Sequence, residues 1–179
     1  MLHQPTAPAS DSVHVGDESA SDAFLARYLA RIGYRGAPAP TLDVLAALQA
    51  AHIAAIPFEA IDALTGAGVD IGAAAVEAKL IGRRRGGYCF EQNGLFLRAL
   101  HAIGFDAEGL IGRVRWMLPD DAPPTPRSHM VVRVRIDGRA WLADVGFGAA
   151  VPPQPLAMDD EAPQPTRHES YRIVRQGAE

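Results

Sequence analysis

Apolar positions recur at helical spacing in the first half of the chain and at strand spacing in the second. Phe24, Leu25, Tyr28, Leu29 and Ile32 form one stripe, with Ser21 able to cap it and Gly33 to end it, which predicts a helix over 22–32. Beyond the Pro-rich link 37–40, Thr41 caps a second helix with Val44, Leu45, Leu48 and Ile53 inward, and Pro57 prevents its continuation. A turn at 65–68 leads to a third helix over 71–81, with Val76 and Leu80 inward. Leu95, Phe96, Ala99, Leu100 and Ile103 mark a fourth, with Cys89 in its first turn and Gly104 as its stop. From Asp106 onward the chain reads as strands and turns. One strand is predicted over 110–117, a hairpin over 129–145 with a type I′ turn at Asp137-Gly138, and one more strand over 170–175. Residues 119–127 and 152–165 are Pro-rich loops, and residues 1–20 lack periodicity and read as a disordered tail.

This order, helices first and strands second, is that of an α+β protein. The expected division is a tail over 1–20, a helical bundle over 21–104 and a strand domain over 105–179. The chain has 179 residues, 48% hydrophobic and 21% charged, as expected of a protein that buries a core. A formal charge of −4 gives no reason to expect nucleic-acid binding. No apolar run is long enough to span a bilayer, and no signal-peptide pattern opens the chain, so a cytoplasmic protein is the simplest expectation. With a single cysteine and six histidines lacking partners at ligand spacing, neither an internal disulfide nor a metal site is expected.

The candidate chemistry begins at that cysteine. Cys89 follows Gly86 and Gly87, which permit a sharp turn and close approach, and Arg83, Arg84 and Arg85 add positive potential. A helix N-terminus and a basic flank both favour the thiolate, so Cys89 reads as a nucleophile, against the commoner fate of an inert buried thiol. Glu59, inside the apolar segment 56–59, either faces water or pairs with an arginine, Arg85 being the candidate.

The hairpin register supplies a second argument. With a two-residue turn, Val134 faces Trp141, Val132 faces Ala143 and Val131 faces Asp144. His129 and Asp144 then share one face as diagonal neighbours about 7–8 Å apart, within side-chain reach. A carboxylate in the apolar run around Asp144 is costly unless paired, and an imidazole is the available partner. Taken alone, a structural His–Asp pair is equally good; with Cys89 the three make the parts of an activated thiol site. His101 is a poor alternative base, being 12 residues after Cys89 and therefore about 18 Å up the same helix.

With these residues in hand, the chain resembles the arylamine N-acetyltransferases. The matching pieces are Ile56-Pro57-Phe58-Glu59, Lys79-Leu80, and Arg84-Arg85-Gly86-Gly87-Tyr88-Cys89-Phe90-Glu91-Gln92-Asn93. They continue with Leu95-Phe96, Ile103-Gly104-Phe105, Ser128-His129-Met130 and Asp144-Val145-Gly146-Phe147-Gly148. The resemblance implies a helical bundle, an antiparallel β-barrel-like domain and a cysteine-protease-like catalytic core. It implies Cys89 as nucleophile, His129 as base and then acid, and Asp144 as the orienting carboxylate. It also implies acetyl-CoA as co-substrate, no permanently bound cofactor, and an arylamine or hydrazine acceptor attacking an acyl-cysteine in ping-pong order. Phe58, Val114 and Phe147 match positions near the acceptor, while Glu59, Arg85, Gly86 and Gly87 support the site. Two departures stand out. Ala60 replaces a usual Asn, and the family's third, lid-forming domain is expected to be missing after Glu179. A lidless chain is expected to be an impaired transferase whose acyl-cysteine leaks to water. Three other readings stay open. One is an amide synthase releasing a long acyl chain as a macrolactam, another a cysteine hydrolase, and the third an inactive form.

Overall fold

The computed structural model describes residues 15–119 and 121–175. The disordered tail expected over 1–20 lies outside the described residues up to position 14. Residues 15–20 are instead helical, and α1 spans Val15–Ile32. α2, Leu42–Ala55, opens where expected, with Thr41 Oγ1 accepting from the Val44 amide. Two short helices follow, α3 (Ile61–Leu64) and α4 (Ala73–Val76), and α4 runs directly into a π-helical turn at Glu77–Gly82. The expected third helix is therefore real in place but changes its hydrogen-bond pitch halfway, which leaves its apolar spacing almost untouched. α5, Cys89–Ile103, starts at the cysteine, and Gly104 ends it in the left-handed conformation at φ +98°.

β1 is Asp106–Arg113, β2 Arg127–Ile136 and β3 Arg139–Ala143, followed by β4 (Leu156–Ala157), β5 (Gln164–Pro165) and β6 (Ser170–Tyr171). β1 begins and ends four residues earlier than the 110–117 strand expected, since the chain enters the sheet straight from the helix cap. The 170–175 strand is confined to β6, paired with β5. β1 to β4 form an antiparallel sheet in that order, and among the described residues the strands close no barrel. The hairpin register is the expected one: Val132 opposes Ala143, Val134 opposes Trp141 and Ile136 opposes Arg139. Asp137 and Gly138 both have positive φ, +50° and +77°, as a type I′ turn requires.

One core joins helices and sheet. Phe24, Tyr28, Leu45, Leu48, Leu80, Phe96 and Leu100 pack in the same buried cluster as Val132, Val134, Ala143 and Val145. α5 lies against both β1 and β2, so the helix that begins at Cys89 is seated directly on the sheet that bears His129.

Candidate active site

The cysteine is placed by a backbone contact that excludes side chains. Segment 56–59 runs beside Gly87, with Glu59 N donating to Gly87 O at 3.0 Å and Gly87 N to Pro57 O at 3.3 Å. A Cβ on Gly86 would lie 2.1 Å from the Pro57 carbonyl oxygen, so only glycine fits there. Tyr88 stays extended, its amide donating to Glu91 Oε2 at 3.0 Å, and α5 begins at the next residue. Cys89 is buried at the end of the cleft described below, with Sγ 3.6 Å from the Ser128 carbonyl oxygen.

That carbonyl is available because β2 bulges. Gly112 pairs with His129 and Arg113 with Arg127, which leaves Ser128 as the extra residue. His129 Nε2 and Asp144 Oδ2 are 2.7 Å apart and both side chains are buried. Asp144 Oδ1 accepts from Asn93 Nδ2 at 2.9 Å and from the Gly146 amide at 2.7 Å. With Nε2 committed to the carboxylate, Nδ1 is the ring nitrogen left for sulfur. Burial acts to lower the His129 pKa, but hydrogen bonds to Asp144 and Cys89, and their negative charge, outweigh it and carry it up to about 9. The ring of Phe147 stands edge-on to the imidazole at 4.8 Å between centroids.

The expected Glu59–Arg85 pair is present at 2.5 Å, within a larger group. Arg85 also meets Asp62 at 2.8 Å, and buried Lys79 reaches Asp62 at 2.7 Å and Glu91 at 2.8 Å. Glu91 thus ties the first turn of α5 to the π-helical turn while holding the Tyr88 amide.

An open cleft of about 290 Å³ leads to the sulfur, lined by Phe58, Tyr88, Cys89, Val114, His129 and Phe147 among others. The structure therefore brings together Cys89, His129 and Asp144, and gathers Phe58, Val114 and Phe147 around them. His101 lies elsewhere and is exposed, its Nε2 donating to Ala107 O at 2.7 Å. His52, in the core, is also away from the cleft. Asn93 and Gln92 were not singled out from sequence. The available signal was an amide pair on an amphipathic helix, one turn beyond the cysteine and hence near its face. Among the described residues no group of three or more His, Cys, Asp or Glu is placed to hold a metal ion, and no helix is long and apolar enough to cross a membrane.

Comparison with known proteins agrees with this architecture. A family model described as N-acetyltransferase matches residues 41–179, which sets the chain in that class. It is 48% identical over 157 residues to an arylamine N-acetyltransferase of Mycolicibacterium smegmatis, covering 86% of this chain and 57% of the relative. The solved arylamine N-acetyltransferase of Salmonella typhimurium superposes with a TM-score of 0.82 at 42% identity, over 86% of this chain and 56% of that one. The Mycobacterium marinum enzyme solved in complex with CoA gives 0.81 at 45% identity, over 86% of this chain and 57% of that one. The chain belongs to the arylamine N-acetyltransferase family, and it spans a little over half the length of these relatives.

Proposed function

We propose that the chain transfers an acetyl group from acetyl-CoA to an arylamine or hydrazine through an acetyl-Cys89 intermediate. The observation that carries this is the convergence of Cys89, His129 and Asp144 at one end of an aromatic-walled cleft. A thiol, an imidazole and an orienting polar side chain in series also form the working set of papain-like cysteine proteases.

In the first step the Cys89 sulfur, its proton passed to His129, attacks the thioester carbonyl. The bond from carbonyl carbon to the CoA sulfur breaks, and the His129 imidazolium returns a proton to the departing CoA thiolate. In the second, the acceptor nitrogen attacks acetyl-Cys89 and His129 takes its proton. The new C–N bond forms, the C–Sγ bond breaks and the thiolate is restored. Asp144 keeps the ring oriented and supports its positive charge throughout. Phe58, Val114 and Phe147 form the wall against which an aromatic acceptor stacks. Glu59, Arg85, Gly86 and Gly87 hold the turn before the nucleophile.

Intact-protein mass spectrometry after mixing with acetyl-CoA tests the first step. One acetyl group added to wild type and none to Cys89→Ser is the expected result. An unmodified wild type, or equal labelling of both, overturns the reading.

A further inference from the structure

Gln92 lies three residues beyond Cys89, faces away from the imidazole–carboxylate pair and is fully buried, as are His52 and Tyr28. Its Nε2 contacts two carbonyl oxygens at the end of α2, Pro57 O at 2.8 Å and Ile56 O at 3.3 Å. Both amide protons are thereby used, and Oε1 must accept. The group opposite Oε1 is His52 Nε2, at 2.8 Å, so that nitrogen carries the proton. His52 Nδ1 is then bare and accepts from the Tyr28 hydroxyl at 3.0 Å. Of the two neutral tautomers only this one satisfies every contact. Burial, which lowers the His52 pKa to about 4, keeps the ring neutral at ordinary pH.

The chain of bonds has one direction, from Tyr28 on α1 through His52 on α2 to Gln92 on α5, and ends on the carbonyls just before Phe58. Pro57 has no amide to donate, and the chain leaves α2 here with Ile56 extended, so these carbonyls lack helical partners. Phe58, half exposed, is the cleft wall carried by this segment.

We propose that Gln92, oriented by His52 and Tyr28, is a positioning residue that fixes the Phe58 wall relative to the Cys89 sulfur, and so sets affinity for the aromatic acceptor without setting the reactivity of the sulfur. The proposal rests on the transfer reading only for the class of acceptor. Without the His52 proton Gln92 Oε1 loses its partner, the side chain is held only through its contacts to the two carbonyls, and the seat of the segment loosens although its bridge to Gly87 remains.

The test compares wild type, Gln92→Met, His52→Phe and Tyr28→Phe. Binding of 4-fluoroaniline is followed by fluorine NMR, which needs no turnover, and Cys89 reactivity by the rate of alkylation with iodoacetamide. The dissociation constant is expected to rise about tenfold in Gln92→Met and His52→Phe and about threefold in Tyr28→Phe, as for loss of one buried hydrogen bond. Alkylation rates should stay within about twofold of wild type. Unchanged binding, alkylation falling in step with binding, or a wild type that does not bind the amine overturns the proposal. Tyr28→Phe, which removes one oxygen, decides the matter should the larger replacements unfold. Acetyl uptake by wild type is scored separately, so failure of the transfer reading leaves the binding comparison to judge the relay.

Discussion

The two oxygens of Asp144 face different partners, and the site depends on both. Oδ2 holds the His129 ring; Oδ1 is gripped by Asn93 and the Gly146 amide. The His129 pKa of about 9 is raised over the ordinary 6.5, so the stability it contributes is fully present below pH 6.5 and is lost as pH rises through 9. That contribution is about 2 kcal/mol once solvent screening is allowed for. Asp144→Asn should weaken this dependence between pH 6.5 and 9 in urea unfolding, leaving the part due to Cys89, and lower the His129 pKa in an NMR titration. Its turnover should fall by about 10²–10⁴. An unshifted His129 titration would mean that the carboxylate does not govern the ring. Asn93 donates to Asp144 and to Met130 O and accepts from the Val145 amide at 3.1 Å. Asn93→Ala leaves two buried groups and the partly buried Met130 carbonyl short of a partner, and a loss of about 2–3 kcal/mol is expected in the same urea measurement.

The elements meet at glycines where an added side chain would crowd its neighbours. Gly86→Ala must push the Pro57 carbonyl away, which separates segment 56–59 from the turn before Cys89. We expect a melting temperature at least about 10 °C lower, equivalent to several kcal/mol. A Cβ on Gly146 would sit 2.8 Å from the Cys89 Cα and 2.9 Å from Asn93 Nδ2. Gly146→Ala should therefore slow iodoacetamide alkylation of Cys89, with far-UV circular dichroism little changed; unaltered alkylation would show that the loop gives way freely. The hairpin was legible because its determinants are local: Asp137-Gly138 demands positive φ twice, and the turn then dictates every cross-strand pair down to His129 and Asp144. β1 was misplaced because it is the edge strand of the four-stranded sheet, largely exposed, with Gly109 and Gly112 interrupting its alternation. The first turns of α1 were missed because polar helix needs no apolar stripe. The π-helical turn was missed because one extra residue per turn hardly alters apolar spacing over six residues.

At the scale of the molecule, helices and sheet share one core, and a second, ionic centre ties the helical segments together beneath the site. Lys79 is buried between Asp62 and Glu91, with Glu59 at 3.9 Å. Sequence paired Glu59 with Arg85 but gave Lys79 no partner, because nothing local tells a buried lysine from a solvated one; only the fold delivers three carboxylates to it. Burial would lower its pKa, yet hydrogen bonds to Asp62 and Glu91 raise it, so the cation persists. In turn the bonds from Lys79 and Arg85 hold the Asp62 carboxyl down at about 2. Because that pKa is depressed, the Asp62 contribution is present above its ordinary value and lost as pH falls through 2. Lys79→Met strands the Glu91 carboxylate in the interior, with the Tyr88 amide still donating to it. A loss of about 3–5 kcal/mol is expected, far more than an exposed pair would show. Lys79→Met combined with Glu91→Leu removes both charges and should recover much of that loss. Its Cys89 should be alkylated more slowly than that of Lys79→Met, because the Tyr88 amide then lacks the acceptor that helps start α5 at the cysteine. Single and double variants that unfold at the same urea concentration as wild type would show that the ionic centre does not hold the helices together.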